Sequence, residues 1–167
     1  MMPASGAPRR VAYLFLAALV FLLDVASKQA VSGWLAPGAV RRVVPGFFNL
    51  TYVRNPGAAF GLLADYDSGW VAVFLVAFSA GALALLASLL WRGPAPLTGV
   101  GLGLIAGGAV GNLVDRLRTG AVVDFLDFHL AGYHWPAFNL ADSAIVLGAA
   151  AVVAEVLRSR RRSPAEA

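Results

Sequence analysis

Long apolar stretches alternate with shorter polar segments along the chain, and the apolar stretches set its architecture. Residues 70–91 carry no charged side chain, and a tryptophan stands at each end of this stretch. A helix of about 20 predominantly apolar residues crosses a bilayer, and tryptophan is enriched at the membrane interfaces. Comparable stretches lie at about 11–28, 97–116 and 139–157. We therefore predict a mainly α membrane protein with four transmembrane helices, forming a single integral membrane domain over residues 1–167.

The segment between the first two stretches, at about 29–69, has a different pattern. Three Pro-Gly pairs interrupt it, at 37–38, 45–46 and 56–57, and pieces rich in β-forming residues lie at 40–44 and 47–53. Such pieces between turn residues indicate strands, and the segment is too polar to span a membrane. We predict a small extramembrane β-sheet, or platform, between helices 1 and 2. Its aromatic side chains would rest on lipid headgroups: Trp34, Phe47, Phe48, Tyr52 and Phe60.

Composition supports a membrane protein and excludes several kinds of chemistry. Hydrophobic residues make up 59% of the chain and charged residues 13%, whereas about 25% of an average soluble domain is charged. The absence of cysteine removes disulfides, thiolate metal sites and cysteine nucleophiles. With two histidines in the sequence, His129 and His134, we expect no metal and no cofactor, and we assign both to interfacial packing. The basic residues lie mostly at the ends of apolar stretches, which is typical of membrane anchoring rather than nucleic-acid binding.

The basic residues also bear on orientation in the membrane. Arg9 and Arg10 precede the first apolar stretch, as in a secretory signal peptide, but three further stretches favour a first span of several. Four spans put both termini on one side, which then holds seven of the 13 Lys and Arg residues. Because the clusters flanking the first and last spans lie on that side, we predict that both termini are cytoplasmic. The platform and the segment after the third span would then face outward.

Polar residues within the spans or at their ends are costly, and they are candidates for function. Asp24 and Lys28 are four residues apart and can pair on one helix face; the pair either shapes a site or is an interfacial pair with a snorkelling lysine. In the third span glycine recurs at 99, 103, 107 and 111, a spacing that lets another helix approach closely. Asn112 can bond from this span to another helix. Asp115 and Arg116 belong either to a site or to an interfacial charge cluster.

Two aspartates in apolar surroundings are the main candidates for chemistry. Asp124 precedes a loop rich in aromatic residues and histidine, and Asp142 opens the fourth apolar stretch. Two carboxyl groups that share a site do not readily both ionise, so one acts as an acid and the other as a base that activates water. This is the arrangement of aspartic proteases. A helix N-terminus near Asp142 would favour its charged form and leave the proton on Asp124.

Simpler interpretations of these residues stay open at the level of sequence. Asn139, Asp142 and Ser143 are all suitable N-caps for the fourth helix, so Asp142 could be a capping residue. Upstream, Asn55-Pro56-Gly57 predicts a rigid bend, because the residue before proline avoids the helical region and glycine takes positive φ. Asn55 would then be presented to bind a peptide backbone as donor and acceptor, unless the segment is simply a turn.

Five sequence blocks, in order, resemble those of the bacterial lipoprotein signal peptidases (signal peptidase II), a family of four-span aspartic peptidases. The blocks are LDVASK at 23–28, RNPGAAFG at 54–61, GGAVGNLVDR at 107–116, VVDF at 122–125 and FNLADS at 138–143. The resemblance covers essentially the whole chain. It implies that Asp124 and Asp142 are the catalytic dyad. It also implies a substrate-binding set, Asn55, Gly57, Asn112, Arg116 and Asn139, and a supporting set, Asp24, Lys28 and Asp115.

The resemblance further implies a substrate, a compartment and an inhibitor. The substrate would be a diacylglyceryl-modified prolipoprotein, cut just before its lipidated cysteine so that the signal peptide is released. The enzyme would be a multi-pass protein of the bacterial cytoplasmic (inner) membrane, surrounded by membrane lipid, with its active site on the outer side. A globomycin-type cyclic peptide would occupy the same pocket. We expect a monomer with no cofactor and no nucleic-acid partner.

Two other classes of protein compete with this interpretation. A small proton-coupled membrane transporter would use the same carboxylates as a relay, but it predicts carboxylates near the bilayer midplane, whereas Asp124 and Asp142 flank the spans. A structural subunit held together by the glycine repeat would leave the five polar blocks unexplained.

Overall fold

The computed structural model describes residues 7–57 and 69–162. Four helices, all long and apolar enough to cross a membrane, form the main body: α1 (Ala7–Trp34), α2 (Gly69–Trp91), α3 (Pro96–Thr119) and α4 (Leu140–Arg162). The predicted mainly helical fold with four membrane-spanning helices is confirmed. Helix α1 continues past position 28, where the sequence pattern placed its end, to Trp34.

Helix α3 lies at the centre of the bundle and packs against the other three helices. The glycines of α3 make this close packing of helices possible. A Cβ added at Gly107 would lie 2.5 Å from the Ala17 carbonyl oxygen and 2.8 Å from the Val20 Cβ, both on α1. A Cβ at Gly101 would lie 2.6 Å from the Gly148 carbonyl oxygen on α4. These positions have room only for hydrogen, so α3 brings α1 and α4 into close backbone contact on two of its faces.

The extramembrane part is a four-stranded antiparallel sheet in the order β1-β2-β3-β4. Its strands are β1 (Val40–Val44), β2 (Phe48–Asn55), β3 (Val122–Leu130) and β4 (Tyr133–His134). The small sheet predicted between α1 and α2 is confirmed by β1 and β2. Strands β3 and β4 follow α3 and complete the sheet, so the prediction of a loop after Asp124 is wrong. Residues 58–61 of the second sequence block, Phe60 among them, lie outside the described residues.

Glycine turns carry the chain into and out of β3. Gly120 ends α3 with a φ of 73°, and its N–H donates to the Arg116 carbonyl at 2.9 Å. The chain therefore reverses at once and reaches Asp124 four residues later. Between β3 and β4, Ala131 and Gly132 both have positive φ, the requirement of a type I′ hairpin turn. Both turns keep the segment from α3 to α4 short.

Strand β2 contains a bulge in its pairing with β3. Leu50 pairs with Leu126 and Val53 pairs with Asp124, so three steps along β2 match two steps along β3. Side chains alternate between the faces of a sheet, and an extra residue in one strand therefore turns the rest of that strand over.

The bulge decides which face two asparagines of β2 share with the aspartates of β3. Before the bulge, Asn49 donates from Nδ2 to Asp127 Oδ2 at 2.8 Å. After it, Asn55 donates from Nδ2 to Asp124 Oδ2 at 2.9 Å. Asp124 and Asp127 are three residues apart in a strand and point to opposite faces. The bulge thus lets one strand support both carboxylates.

Candidate active site

Five of the residues predicted for the site line one cavity of about 320 Å³ between α2, α3, α4 and the sheet. They are Asn55, Asn112, Arg116, Asp124 and Asp142. Apolar residues complete the wall, among them Leu75 and Phe78 of α2 and Ile145 of α4. The cavity therefore combines a polar cluster with an apolar lining. The α2 residues gave no sequence signal of a site, because they belong to a uniformly apolar stretch that reads only as a membrane span.

Asp124 lies on β3 and is only 2% exposed. Its Oδ1 accepts a hydrogen bond from Asn139 Nδ2 at 2.7 Å, and its Oδ2 accepts one from Asn55 Nδ2 at 2.9 Å. Burial raises the pKa of Asp124 to about 6; the hydrogen bonds from the two amides oppose this increase, and the charge of Asp142 adds to it. A carboxyl group with such a pKa can hold a proton close to neutral pH.

Asp142 lies in the first turn of α4 and takes part in a capping box. Asn139 is the N-cap, since its Oδ1 accepts the Asp142 N–H at 2.9 Å. In return, Asp142 Oδ2 accepts the Asn139 N–H at 3.3 Å. The other carboxylate oxygen, Oδ1, accepts a hydrogen bond from Asn112 Nδ2 at 2.8 Å. Of the three N-cap candidates in the sequence, the structure uses Asn139, and both carboxylate oxygens of Asp142 accept hydrogen bonds within the protein.

Asn139 joins the two aspartates. Its side chain is completely buried. The Oδ1 atom caps the helix that carries Asp142, and Nδ2 donates to Asp124 Oδ1, with longer contacts of 3.2 Å to Asn112 Oδ1 and 3.3 Å to the Val123 carbonyl. Asn139 therefore links both carboxylates into a single hydrogen-bond network: its side-chain amide donates to Asp124, and its backbone N–H donates to Asp142. The sequence predicted Asn139 as a substrate-binding residue; the structure engages both ends of its amide within the protein.

A buried ion cluster on α1 and α3 lies behind this network. The Lys28 ammonium contacts Asp24 Oδ2 at 2.7 Å and Asp115 Oδ2 at 2.9 Å, and it donates to Asn112 Oδ1 at 2.9 Å. Asp24 is completely buried, and its Oδ1 accepts the N–H of Ala141, in the first turn of α4, at 2.9 Å. Lys28 is 3% exposed, so it is not a snorkelling lysine. The cluster ties α1 to α3 and to the N-terminus of α4.

Arg116 holds the bend that follows β2. Its Nη2 donates to the Gly57 carbonyl at 2.8 Å, and its Nη1 donates to the Asn112 carbonyl at 3.3 Å. Gly57 in turn donates its N–H to Asn55 Oδ1 at 2.9 Å, which fixes the amide that reaches Asp124. The Nε atom of Arg116 is buried and has no hydrogen-bond partner among the described residues. Arg116 therefore holds the bend through two backbone carbonyls while it also lines the cavity.

The third aspartate of this region, Asp127, lies on the opposite face of the sheet. It accepts hydrogen bonds from Asn49 and from His134 Nδ1, the latter at 2.7 Å. Burial raises its pKa, but these two bonds outweigh burial, and the net effect is a lowered pKa. His134 also stacks on His129, with ring centroids 4.7 Å apart. The two histidines therefore belong to the framework of the sheet and are not brought to the cavity.

The fold is that of a multi-pass bacterial membrane enzyme. Over 93% of this chain and 93% of the other, it superposes on a bacterial membrane enzyme solved by the in meso method at 2.3 Å, with a TM-score of 0.82 and 28% identity. A second bacterial membrane enzyme, solved by the same method at 1.9 Å, gives a TM-score of 0.77 and 32% identity over 87% of this chain and 92% of the other.

The sequence comparisons identify the family. The family model for Signal peptidase (SPase) II matches residues 16–158. A lipoprotein signal peptidase of Oleidesulfovibrio alaskensis is 48% identical over 85% of this chain and 92% of its own length. A lipoprotein signal peptidase of Burkholderia vietnamiensis is 47% identical over 95% of this chain and 94% of its own length. The chain therefore belongs to the signal peptidase II family, and it is a membrane peptidase.

Proposed function

We propose that this peptidase removes the signal peptide from diacylglyceryl-modified prolipoproteins in the bacterial inner membrane, and that Asp124 and Asp142 activate the water that cuts just before the lipidated cysteine. The names of the curated relatives support the substrate class. One observation carries the mechanism. Two carboxylates line the same cavity, and Asn139 links them in one hydrogen-bond network through its side-chain amide to Asp124 and its backbone N–H to Asp142.

The two aspartates have surroundings that suit different roles. Asp124 is buried and has a pKa of about 6, so it supplies the proton. Asp142 accepts a hydrogen bond from Asn112 and lies in the first turn of α4, where the helix dipole stabilises negative charge. Asp142 takes a proton from water, and the resulting hydroxide attacks the scissile carbonyl carbon while Asp124 protonates the carbonyl oxygen. The tetrahedral intermediate then collapses: the carbon–nitrogen bond breaks, the leaving nitrogen takes the proton that Asp142 received from water, and Asp124 recovers its proton from the hydroxyl group as the carbonyl reforms.

The composition of the cavity suits a peptide that arrives within the membrane. The apolar residues of α2 and α4 face the apolar part of such a substrate, whereas the amides and Arg116 are placed for its backbone. Arg116 lines the cavity and brings its guanidinium group to the wall where a substrate carbonyl would lie. Asn55 and Gly57 form the bend beside it. We assign these residues, together with Asn112, to substrate binding, and Asn139 to ordering the dyad.

The remaining assignments follow from the position of the sheet. Trp34 ends α1 at the sheet end of the bundle, with Arg41 lying 4.2 Å from its ring, whereas Trp91 ends α2 at the other end, with Arg10 at 5.5 Å. Tryptophan and arginine at both ends suit two membrane interfaces. We propose that the termini are cytoplasmic and that the sheet and cavity face the outer side. We also propose that the enzyme works as a monomer in membrane lipid, and that a globomycin-type peptide blocks the cavity.

The test is cleavage of a lipidated prolipoprotein by the purified protein in detergent, followed by the gel shift that accompanies loss of the signal peptide. Asp124→Asn and Asp142→Asn keep the shape of each side chain and remove its acid–base capacity, so both should abolish cleavage. Asp127→Asn is the matched control, because Asp127 is a buried aspartate of the same strand that lies outside the cavity. It should keep cleavage.

The outcomes separate the parts of the proposal. Near-parental cleavage by Asp124→Asn or Asp142→Asn would exclude the two-aspartate mechanism. Equal cleavage of the lipidated substrate and of the same substrate without its diacylglyceryl group would exclude the proposed substrate class. Loss of cleavage in Asp127→Asn at unchanged thermal stability would mean that the chemistry is not confined to the cavity.

A further inference from the structure

Lys28 is a buried charge that the proposed chemistry does not use. Its ammonium group has three N–H donors, and three oxygens lie within 2.9 Å of it. Two of these oxygens belong to the carboxylates of Asp24 and Asp115, which already exceed the charge of the lysine. The third is Oδ1 of Asn112, a neutral amide on the neighbouring helix. Neutralisation of Lys28 does not require this third contact.

The amide of Asn112 has different partners at its two ends. Its Oδ1 accepts hydrogen bonds from Lys28 at 2.9 Å and from Asn139 at 3.2 Å, and its Nδ2 donates to Asp142 Oδ1 at 2.8 Å. A rotation of the amide by half a turn would set donor against donor at Lys28 and acceptor against acceptor at Asp142. Lys28 therefore selects the orientation in which Asn112 presents an N–H to the carboxylate.

We propose that Lys28 is a positioning residue for the catalytic dyad and acts through Asn112. It keeps an amide N–H, rather than an amide oxygen, directed at Asp142, and it places a positive charge one side chain away from that carboxylate. This inference rests on the proposed function, because it needs Asp142 to be one of the two working carboxylates.

The charges around the dyad give the proposal a direction that can be measured. The charged groups facing Lys28 and the dyad are Asp24 on α1, Asp115 and Arg116 on α3, Asp124 on β3 and Asp142 on α4. Burial raises the pKa of Asp124, and the charge of Lys28 opposes that increase. Without the lysine charge the active pH range should move upward. Without the Asp115 charge the lysine is less neutralised, and the range should move downward.

The first measurement is the pH dependence of kcat and KM for Lys28→Met, with the full-length protein in detergent and a lipidated prolipoprotein. Methionine keeps most of the length of lysine and removes both the charge and the N–H donors. We expect kcat to fall about 10- to 100-fold, as for loss of a hydrogen bond to a charged group. KM should change little, because Lys28 does not line the cavity. Lys28→Gln retains an N–H donor, so it should recover part of kcat and keep the upward shift in pH range.

Two further variants distinguish positioning from stability. Lys28→Met leaves Asp24 and Asp115 without their cation, and unpaired buried charge is destabilising. The double variant Lys28→Met/Asp115→Asn removes one charge of each sign, so the melting temperature should recover toward that of the parent while kcat stays low. Recovery of kcat together with the melting temperature would show a purely structural lysine and overturn the proposal. Asp115→Asn alone must move the active pH range downward; an upward movement would also overturn it.

The parent and Asp142→Asn are assayed in parallel. If the parent cleaves, Asp142→Asn does not, and Lys28→Met retains parental kcat and pH range, this inference fails while the proposed function stands. If Asp142→Asn still cleaves, the two fail together.

Discussion

Asn139 is the residue whose replacement tests the arrangement of the dyad most directly. It is completely buried, it caps α4 through Oδ1, and it donates to Asp124 through Nδ2 at 2.7 Å. Asn139→Ala removes both functions. Asn139→Ser keeps an N-cap oxygen, but the shorter side chain cannot also reach Asp124. The two variants therefore separate the contribution of the cap from that of the link to the carboxylate.

The magnitudes follow from the two functions. Replacing an N-cap residue by alanine costs about 1 kcal/mol, and above about pH 6, where Asp124 is ionised, loss of a hydrogen bond to its charged carboxylate costs about 1.5–3 kcal/mol. Asn139→Ala should therefore destabilise the protein by about 2.5–4 kcal/mol, and Asn139→Ser by about 1 kcal/mol less. For a chain of this length, 1 kcal/mol corresponds to about 2–4 °C in melting temperature. If the same bond is needed in the transition state, both variants should lose cleavage by about 10- to 150-fold.

The assay pairs thermal unfolding in detergent, followed by tryptophan fluorescence, with the rate of prolipoprotein cleavage at a temperature where both variants are folded. The expected result is a difference in melting temperature between the two variants and an equal loss of activity. Parental activity in Asn139→Ser would contradict this prediction, since the link to Asp124 would then be dispensable. Equal melting temperatures would show that the capping bond contributes little.

Three other predictions concern packing, pH and the framework of the sheet. A Cβ added at Gly108 would overlap the carbonyl oxygen of Ala141, so Gly108→Ala should lower both the melting temperature and the rate of cleavage. Gly81→Ala is the control and should change neither, because no described atom lies within 4 Å of its new methyl group. Because Asp124 has a pKa of about 6 and is the proposed acid, kcat/KM measured against pH should fall as the pH rises past about 6, and a rate that continues to rise there would contradict this role. The pKa of Asp127 is below its ordinary value of 3.8. The ionised Asp127 carboxylate therefore stabilises the fold above pH 3.8, and this stabilisation is lost as the pH falls through the lower pKa of the folded state. The melting temperature of Asp127→Asn should therefore fall less in acid than that of the parent.

The helices could be predicted from the sequence, whereas half of the sheet could not. An uncharged stretch such as 70–91 permits one interpretation, because only a span needs that length of apolar sequence. In β3, polar residues stand at 124, 127 and 129, and this spacing does not follow the period of two that marks a strand. The reason is that Asp124 and Asp127 are both buried on opposite faces, each with an amide partner from β2. Because polar groups are buried on both faces of β3, the alternation of polar and apolar residues that marks a strand is absent.

The polar residues that meet at the cavity could be named from the sequence, but the hydrogen bonds between them could not. Asp124 and Asp142 stood out because carboxylates near apolar runs are costly, and the structure places both at one cavity. The roles of the asparagines could not be assigned, because an asparagine N-cap, a substrate amide and a bridge between carboxylates have the same sequence signature. The buried contact from Lys28 to Asn112 joins residues 84 positions apart, and no local pattern reports it.

The bulge in β2 changes which residues of the strand face each side of the sheet. Upstream of it, odd-numbered residues such as Asn49 face the same side as Asp127; downstream, the odd-numbered Asn55 faces the side of Asp124. Insertion of one residue between Val53 and Asn55 would remove neither aspartate and alter no charge, yet it would send Asn55 to the wrong side of the sheet. Insertion of two residues at the same place would leave Asn55 on the face of Asp124. Whether the number of residues between the bulge and Asn55 is odd or even therefore decides whether Asn55 reaches Asp124. The length of this part of β2 matters to the site as much as the identity of its aspartates.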